Sequence, residues 1–224
     1  MERQLALNLQ QKLGISIVQI VREEYEMLLL SRLMDNSLGS SLIFRGGTAL
    51  RLAYGSPRFS DDLDFSCQVD TTEKEFRAWC QQTAKAVPYL ELDEALKKYF
   101  TLYAMFKVKD PALAETISIK LEISTRPAVW VKNLDYQLLS LKSQVTPITV
   151  LAQVASLERL EQEKVSIKPP RIRDIFDLWF LSQQLKKDYQ MNWTGFDAKE
   201  VKRELYRLLA APQRKLLEQW LPKE

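Results

Sequence analysis

An α+β fold is predicted, with a small mixed sheet flanked by helices and a helical C-terminal part. Two patterns predict it. Up to Arg126-Pro127, short segments with alternating apolar and polar side chains are interleaved with segments of helical periodicity, and beyond that point the periodicity is mostly helical. The expected domains are residues 1–140, a core with an N-terminal helix, and residues 141–224, a helical domain.

Ile17, Val21, Tyr25, Leu28 and Met34 recur at helical spacing among charges, so residues 15–34 are read as an amphipathic helix ended by Asn36 to Ser41. Leu42-Ile43-Phe44 is a short buried strand. Gly46-Gly47 then turns the chain into a helix from Thr48 to Tyr54, stopped by Gly55 and Pro57. Asp62 to Cys67 alternates as a strand, with Leu63 and Phe65 on one face and Asp62, Asp64 and Ser66 on the other. A helix follows from Thr72, where Thr72 and Glu75 have capping-box spacing, to Val87 before Pro88. Leu102 to Val108 is a further strand, and residues 115–124 alternate most cleanly of all. There Ile117, Ile119, Leu121 and Ile123 share one face, while Ser118, Lys120, Glu122 and Ser124 share the other. Helices are expected at residues 147–163, 173–186, 198–209 and 213–220, with residues 164–170 connecting the first two.

Composition narrows the chemistry. A hydrophobic fraction of 46% and a charged fraction of 27% suit a soluble chain with a proper core. The net charge of +3, from 32 basic and 29 acidic side chains, argues against a polybasic nucleic-acid coat and leaves room for a local basic groove. Histidine is absent, which removes histidine acid/base catalysis, Ser-His-Asp triads and histidine-ligated zinc. Acid/base and metal work falls to carboxylates. Cys67 and Cys80 make neither a C-x-x-C motif nor a disulfide framework and read as reduced fillers. The N-terminal MERQLALNLQQKLG lacks a basic-then-apolar signal pattern, and charges at Arg22-Glu23-Glu24 and Arg32 interrupt the apolar run around Leu28-Leu29-Leu30. No membrane association is expected, and the expected location is cytoplasmic.

The chemistry concentrates in two neighbouring motifs. Gly46-Gly47 can bend sharply and offer bare backbone N–H groups to an anion. Asp62 and Asp64, neighbours on one strand face, have the oxygen ligands and spacing that a hard cation bridging phosphates requires. A D-x-D pair alone more often marks a solvated turn. Here the glycine pair and helix start lie upstream of it. Trp130, Trp179, Phe180, Trp193 and Trp220 lack basic interleaving and read as core anchors.

Phe44-Arg45-Gly46-Gly47-Thr48-Ala49-Leu50 and Arg58-Phe59-Ser60-Asp61-Asp62-Leu63-Asp64-Phe65, followed by Arg173-Asp174-Ile175-Phe176-Asp177-Leu178, resemble the AbiEii-type nucleotidyltransferases of the DNA polymerase β-like superfamily. These are toxins of bacterial toxin–antitoxin and abortive-infection systems. The resemblance spans most of the chain and implies a nucleotidyltransferase sheet and transfer of NMP from an NTP to an acceptor hydroxyl. It implies Mg²⁺ or Mn²⁺ on Asp62, Asp64 and Glu122, the last supplied by Lys120-Leu121-Glu122. Glu122 would also help deprotonate the acceptor. Gly46, Gly47 and Thr48 would cradle the triphosphate, with Arg173 and Asp174 at the nucleotide and Lys120 and Arg173 clamping phosphate charge. The acceptor implied is RNA, such as the 3′ end of tRNA, or a protein hydroxyl, and the partner implied is an antitoxin encoded nearby.

Arg173 and Asp174 also have a structural reading, a helix-start acid and an i, i+4 pair of Arg173 with Asp177. One departure from the family pattern stands out. Aligned with a helical I-L-A-E-K-L-x-A-L, the stretch Val150 to Leu157 puts Val154 where a lysine is common, unless Lys164, Lys168 or Arg171 supplies the cation. Val154 motivates an alternative, a catalytically degenerate fold that binds nucleotide, RNA or a partner protein. A metal-dependent phosphatase is disfavoured because no nucleophile-bearing strand motif is present.

Overall fold

The computed structural model describes residues 1–69 and 71–222, and within them the elements follow the order α1 (Arg3–Leu13), α2 (Ile17–Met34), β1 (Leu42–Arg45), α3 (Gly46–Tyr54), β2 (Asp62–Cys67), α4 (Glu73–Ala86), β3 (Leu90–Lys98), β4 (Thr101–Val108), β5 (Ile117–Ser124), β6 (Tyr136–Lys142), β7 (Thr149–Ala155), α5 (Leu157–Ser166), α6 (Ile172–Leu185), α7 (Ala198–Tyr206) and α8 (Ala211–Leu217). All seven strands form one mixed sheet in the order β3-β4-β5-β2-β1-β7-β6. Among the described residues no helix is long and apolar enough to cross a membrane.

Several of the expected helices begin where side chains satisfy their free N–H groups. The Ser16 hydroxyl accepts from the Gln19 amide at the start of α2. Thr72 and Glu75 close the expected capping box on α4, which satisfies two otherwise unpaired donors. On the sheet, β1 pairs antiparallel with β2 and β2 pairs parallel with β5, with Asp62 opposite Lys120 and Asp64 opposite Glu122. Residues directly opposite each other share a face. The alternation in β2 and β5 therefore puts Asp62, Asp64, Lys120 and Glu122 on one side of the sheet and drives Leu63, Phe65, Leu121 and Ile123 into the core on the other.

That core packs the sheet against α2 and α4 through Val21, Met27, Leu30, Phe76 and Trp79, all buried. Removing a large apolar side chain of this kind from water contributes about 1.5–3 kcal/mol. A second cluster joins α6 to α7 through Ile172, Phe176, Val201 and Leu205. A third, built from Ile43, Leu50, Ala155, Leu160 and Phe180, clamps α3, α5 and α6 to the middle of the sheet. Cys67 and Cys80 are free thiols, and burial pushes the Cys80 thiol up to about 12, which suits an inert filler.

The structure corrects the expectation of a helix over residues 147–163. Residues Thr149–Ala155 form β7, which lies parallel to β1 with Phe44 opposite Val154 and antiparallel to β6. Val150, Ala152 and Val154 point inward while Thr149 and Leu151 face outward, a two-residue period that favours a strand once a central sheet edge is available to pair with it. The helix starts only at Leu157, after the Ser156 cap. Because β6 spans residues 136–142 and β7 completes the sheet, the expected domain boundary at 140 falls inside a strand, and the sheet runs on to Ala155. The sequence patterns likewise do not predict helix α1 or strands β3 and β6, the last lying where a mostly helical pattern is expected. The β3 pattern, LELDEALKK, is mostly exposed and interrupted by a register shift between Leu92 and Glu94, so its alternation is weak.

Candidate active site

Where β1 ends, Arg45 leads into α3 at Gly46, whose φ of +81° lies in the left-handed region that favours glycine. A Cβ on Gly46 would stand 2.6 Å from Asp64 Oδ2, and one on Gly47 would run into the Arg58 guanidinium and come within 2.8 Å of Ser60 Oγ. The glycine pair is thus required by packing as well as by conformation. It lets the helix N-terminus close onto the Asp64 carboxylate and the Arg58 guanidinium.

The turn opens into a cleft of about 450 Å³, whose wall includes Gly46, Gly47, Asp62, Asp64, Lys120 and Glu122. Lys120 Nζ sits between two carboxylates, 3.3 Å from Asp62 and 3.6 Å from Glu122. Burial would lower the Lys120 ammonium, but Asp62, Glu122 and Asp64 together raise it above its ordinary value. Asp64 is held above the usual carboxylate range, first by burial and then by the like charges of Asp62 and Glu122, against the opposing pull of Arg45 and Lys120. The floor of the cleft is therefore a carboxylate set that would gain from further positive charge. Among the described residues no three acidic side chains converge as a ready-made metal cage.

The opposite wall is cationic. Arg58, Lys164 and Arg171 line the cleft there, and behind them lie the two buried carboxylates Asp174 and Asp177. Arg58 holds Asp177 in a two-pronged pair, with Nε and Nη2 each 2.6 Å from one oxygen. Lys164 Nζ is 2.8 Å from Asp174 and 2.6 Å from Asp177. Arg171 closes the set on Asp174, with Nε at 2.6 Å and Nη2 at 3.0 Å. Burial alone would raise Asp174, yet the Arg171 hydrogen bond and the Lys164 charge bring it down to about 2. Asp177 is likewise lowered, with burial overcome by Arg58 and Lys164. Three cations thus share two anions, and the unbalanced positive charge faces the cleft.

A second cluster fixes the residues that lead into the D-x-D strand. Asp61 receives Arg207 at 2.7 Å and Gln19 at 3.3 Å, with Arg22 at 3.4 Å and Arg173 at 3.7 Å. The Phe59 amide donates to the Leu208 carbonyl at 2.7 Å. These contacts tie the D-x-D strand to the C-terminal helices.

The structure brings Asp62, Asp64, Lys120, Glu122, Gly46, Gly47 and Arg173 to the cleft, and two expected residues lie behind its wall. Thr48 is buried and its hydroxyl donates to the Asp62 carbonyl, so it braces the strand instead of facing a phosphate. Asp174 is fully buried and engages Lys164 and Arg171. The expected Arg173–Asp177 pair is replaced: Arg173 reaches Glu204 at 3.0 Å, because Asp177 points inward to Arg58 and Lys164. Val154 is a fully buried residue of β7 packed in the core with α2, not a helical residue, while Lys164, only 8% exposed, supplies a cation from α5. The motive for a degenerate, binding-only protein goes with that correction. Arg58 has no role predicted from the sequence, although its place at the head of R-F-S-D-D is a signal. Trp130, read as a core anchor, lines the cleft with the Arg159 guanidinium 4.6 Å over its ring.

Residues 28–221 match the family described as nucleotidyl transferase AbiEii toxin, type IV toxin–antitoxin system. Among solved structures, the chain is similar to MenT4, a nucleotidyltransferase toxin from Mycobacterium tuberculosis H37Rv, with a TM-score of 0.60 and 17% identity over 96% of this chain and 86% of that one. It is similar to JHP933 from Helicobacter pylori, with a TM-score of 0.56 and 23% identity over 84% of this chain and 73% of that one. A putative nucleotidyltransferase from H. pylori gives a TM-score of 0.56 and 23% identity over 84% and 76% of the two chains. No curated protein is matched. At these identities the solved structures speak for the fold.

Proposed function

The chain belongs to the AbiEii nucleotidyltransferase toxin family, and on that premise we propose that it transfers NMP from an NTP to an acceptor hydroxyl, with RNA such as a tRNA 3′ end as the acceptor, under the control of an antitoxin encoded nearby. The observation that carries this reading is the pairing of Asp62 with Lys120 and of Asp64 with Glu122 on one sheet face, opposite a wall with surplus positive charge.

The donor set fits a divalent metal, Mg²⁺ or Mn²⁺. Every donor is a carboxylate oxygen, and Asp64 is held protonation-prone by burial and by its acidic neighbours, a cost that a dication would offset. Asp62, Asp64 and Glu122 form no ready-made cage among the described residues, so phosphate oxygens of the NTP would have to complete the ligand set. Asp62, Asp64 and Glu122 would hold such a metal, which would supply charge stabilisation for the transfer. The chain's own groups do the remainder. Gly46 and Gly47 offer N–H groups at a helix N-terminus to the triphosphate. Lys164, Arg171 and Arg58 offset charge on the departing pyrophosphate, with Arg173 at the rim. Glu122 accepts the acceptor's hydroxyl proton as its oxygen bonds to the α-phosphorus, and the bond from that phosphorus to the bridging oxygen breaks, releasing pyrophosphate. Lys120 holds Asp62 and Glu122 in place through this step.

The test is incubation with each α-labelled NTP in turn, with total RNA and with cell protein. Label is expected in RNA, with pyrophosphate as co-product and loss of signal on chelation. Asp62→Ala and Asp64→Ala should remove the label while leaving the circular dichroism spectrum unchanged, and transfer that survives either change would sink the mechanism.

A further inference from the structure

The sheet face that carries Glu122 does not end there. On β4, Tyr103 stands opposite Glu122 and Thr101 opposite Ser124, and on β3, Lys98 stands opposite Thr101. Lys98 Nζ lies 3.7 Å over the Tyr103 ring. Glu94, Lys120, Glu122 and Asp62 all act on the Tyr103 phenol, which burial raises first, so the ring lies within the electrostatic reach of the cleft. The β3–β4 turn above them presents Tyr99, 95% exposed, and Phe100, 54% exposed. Tyr99 has a φ of +48°, a left-handed conformation that side-chain-bearing residues adopt at a cost, here for a ring that packs against almost nothing. The Thr125 amide donates to the Phe100 carbonyl at 2.7 Å, which ties the turn to the end of β5. The next residue, Arg126, lines the cleft, is exposed, and makes no ion pair among the described residues.

We propose that this turn and the face leading to it, Tyr99, Phe100, Tyr103, Lys98 and Arg126, bind the single-stranded 3′ segment of an RNA acceptor. The inference rests on the transfer reaction above and names its acceptor side. Phosphate-binding groups lie toward β1 and α5, so an acceptor hydroxyl meeting Glu122 in line must enter from β4 and β3, two strand spacings or about 10 Å further along the sheet. Two exposed rings flanked by Lys98 and Arg126 suit the bases and phosphates of a single strand, because every base has a stacking face and every linkage a charge. No base-edge readout is required of these residues.

The test measures binding apart from chemistry. Anisotropy of a labelled single-stranded RNA of about 12 nucleotides, within the usual span of single-strand sites, is followed on the full chain without NTP or metal and repeated over a range of salt. Y99A/F100A should weaken binding about tenfold or more, the effect of losing one stacked base. Tyr99→Phe, which keeps the ring, should bind as the unaltered chain does. K98A/R126A should make the salt slope shallower by about 1.4, for two phosphates on a single strand. In the transfer assay the same variants should raise KM for RNA and leave KM for NTP unchanged. Unaltered protein that does not bind the RNA, or turn variants that bind and are labelled normally, overturn the proposal. So does label entering a protein with equal efficiency in all of them. RNA binding that depends on the turn, in a chain that transfers nothing, would sink the reaction and keep this surface.

Discussion

Lys164→Met separates what the buried ionic cluster does for stability from what it does for chemistry. The change keeps the apolar stem and removes one ammonium shared by Asp174 and Asp177, at 2.8 and 2.6 Å. Stranding a buried charge costs about 3–5 kcal/mol. No charge is stranded here, because Arg58 still holds both oxygens of Asp177 and Arg171 both oxygens of Asp174. The loss is that of charge-assisted hydrogen bonds, about 2–3 kcal/mol. For a chain of this size that corresponds to a fall in Tm of about 4–12 °C, read by calorimetry. The three-to-two excess of positive charge becomes two-to-two, so transfer from labelled NTP should fall far more than stability does, by about 10²–10³ in kcat. Lys164→Arg keeps the charge and should retain more activity than Lys164→Met. Transfer within twofold of the unaltered rate in a folded Lys164→Met protein would refute the assignment of surplus charge to the cleft. Complete unfolding would refute the claim that the arginines suffice.

Two further outcomes test the floor of the cleft and the corrected strand. Asp64 is raised above the ordinary carboxylate range, and only its ionised form serves as a metal ligand, so kcat/KM should fall as pH drops through that raised value; an acid limb at or below the usual aspartate range would contradict it. Val154→Lys would place an ammonium in the sheet core opposite Phe44, so it should destabilise by about 3 kcal/mol or more and bring no gain in transfer; a folded, more active variant would restore the helical alignment of that segment.

The acid pairs were legible in the sequence because a two-residue period fixes which side chains share a face, and β2 and β5 have that period cleanly. What periodicity lacks is the partner. Thr149–Ala155 could be read as helix because nothing local announces that β1 offers an open edge beside Phe44. The same blindness hid Arg58: its role depends on Asp177, 119 residues away, and only the folded chain puts the two side chains 2.6 Å apart. Asp174 illustrates the reverse error. Its motif is informative about family, while its burial turns it from a ligand for nucleotide into the anchor of two cleft cations.

The order in which β1 acquires its neighbours has a consequence during synthesis. β2 follows β1 closely, but β7 and the cations of α5 and α6 come from the second half of the chain. At typical elongation rates, on the order of 10 s separates the emergence of Asp64 from that of Asp177. For most of that interval Asp62 and Asp64 exist without Lys164 and Arg171, and the edge of β1 that β7 will cover is unpaired. The cleft's two sides therefore meet only once α5 and α6 have packed back onto β1 and α3.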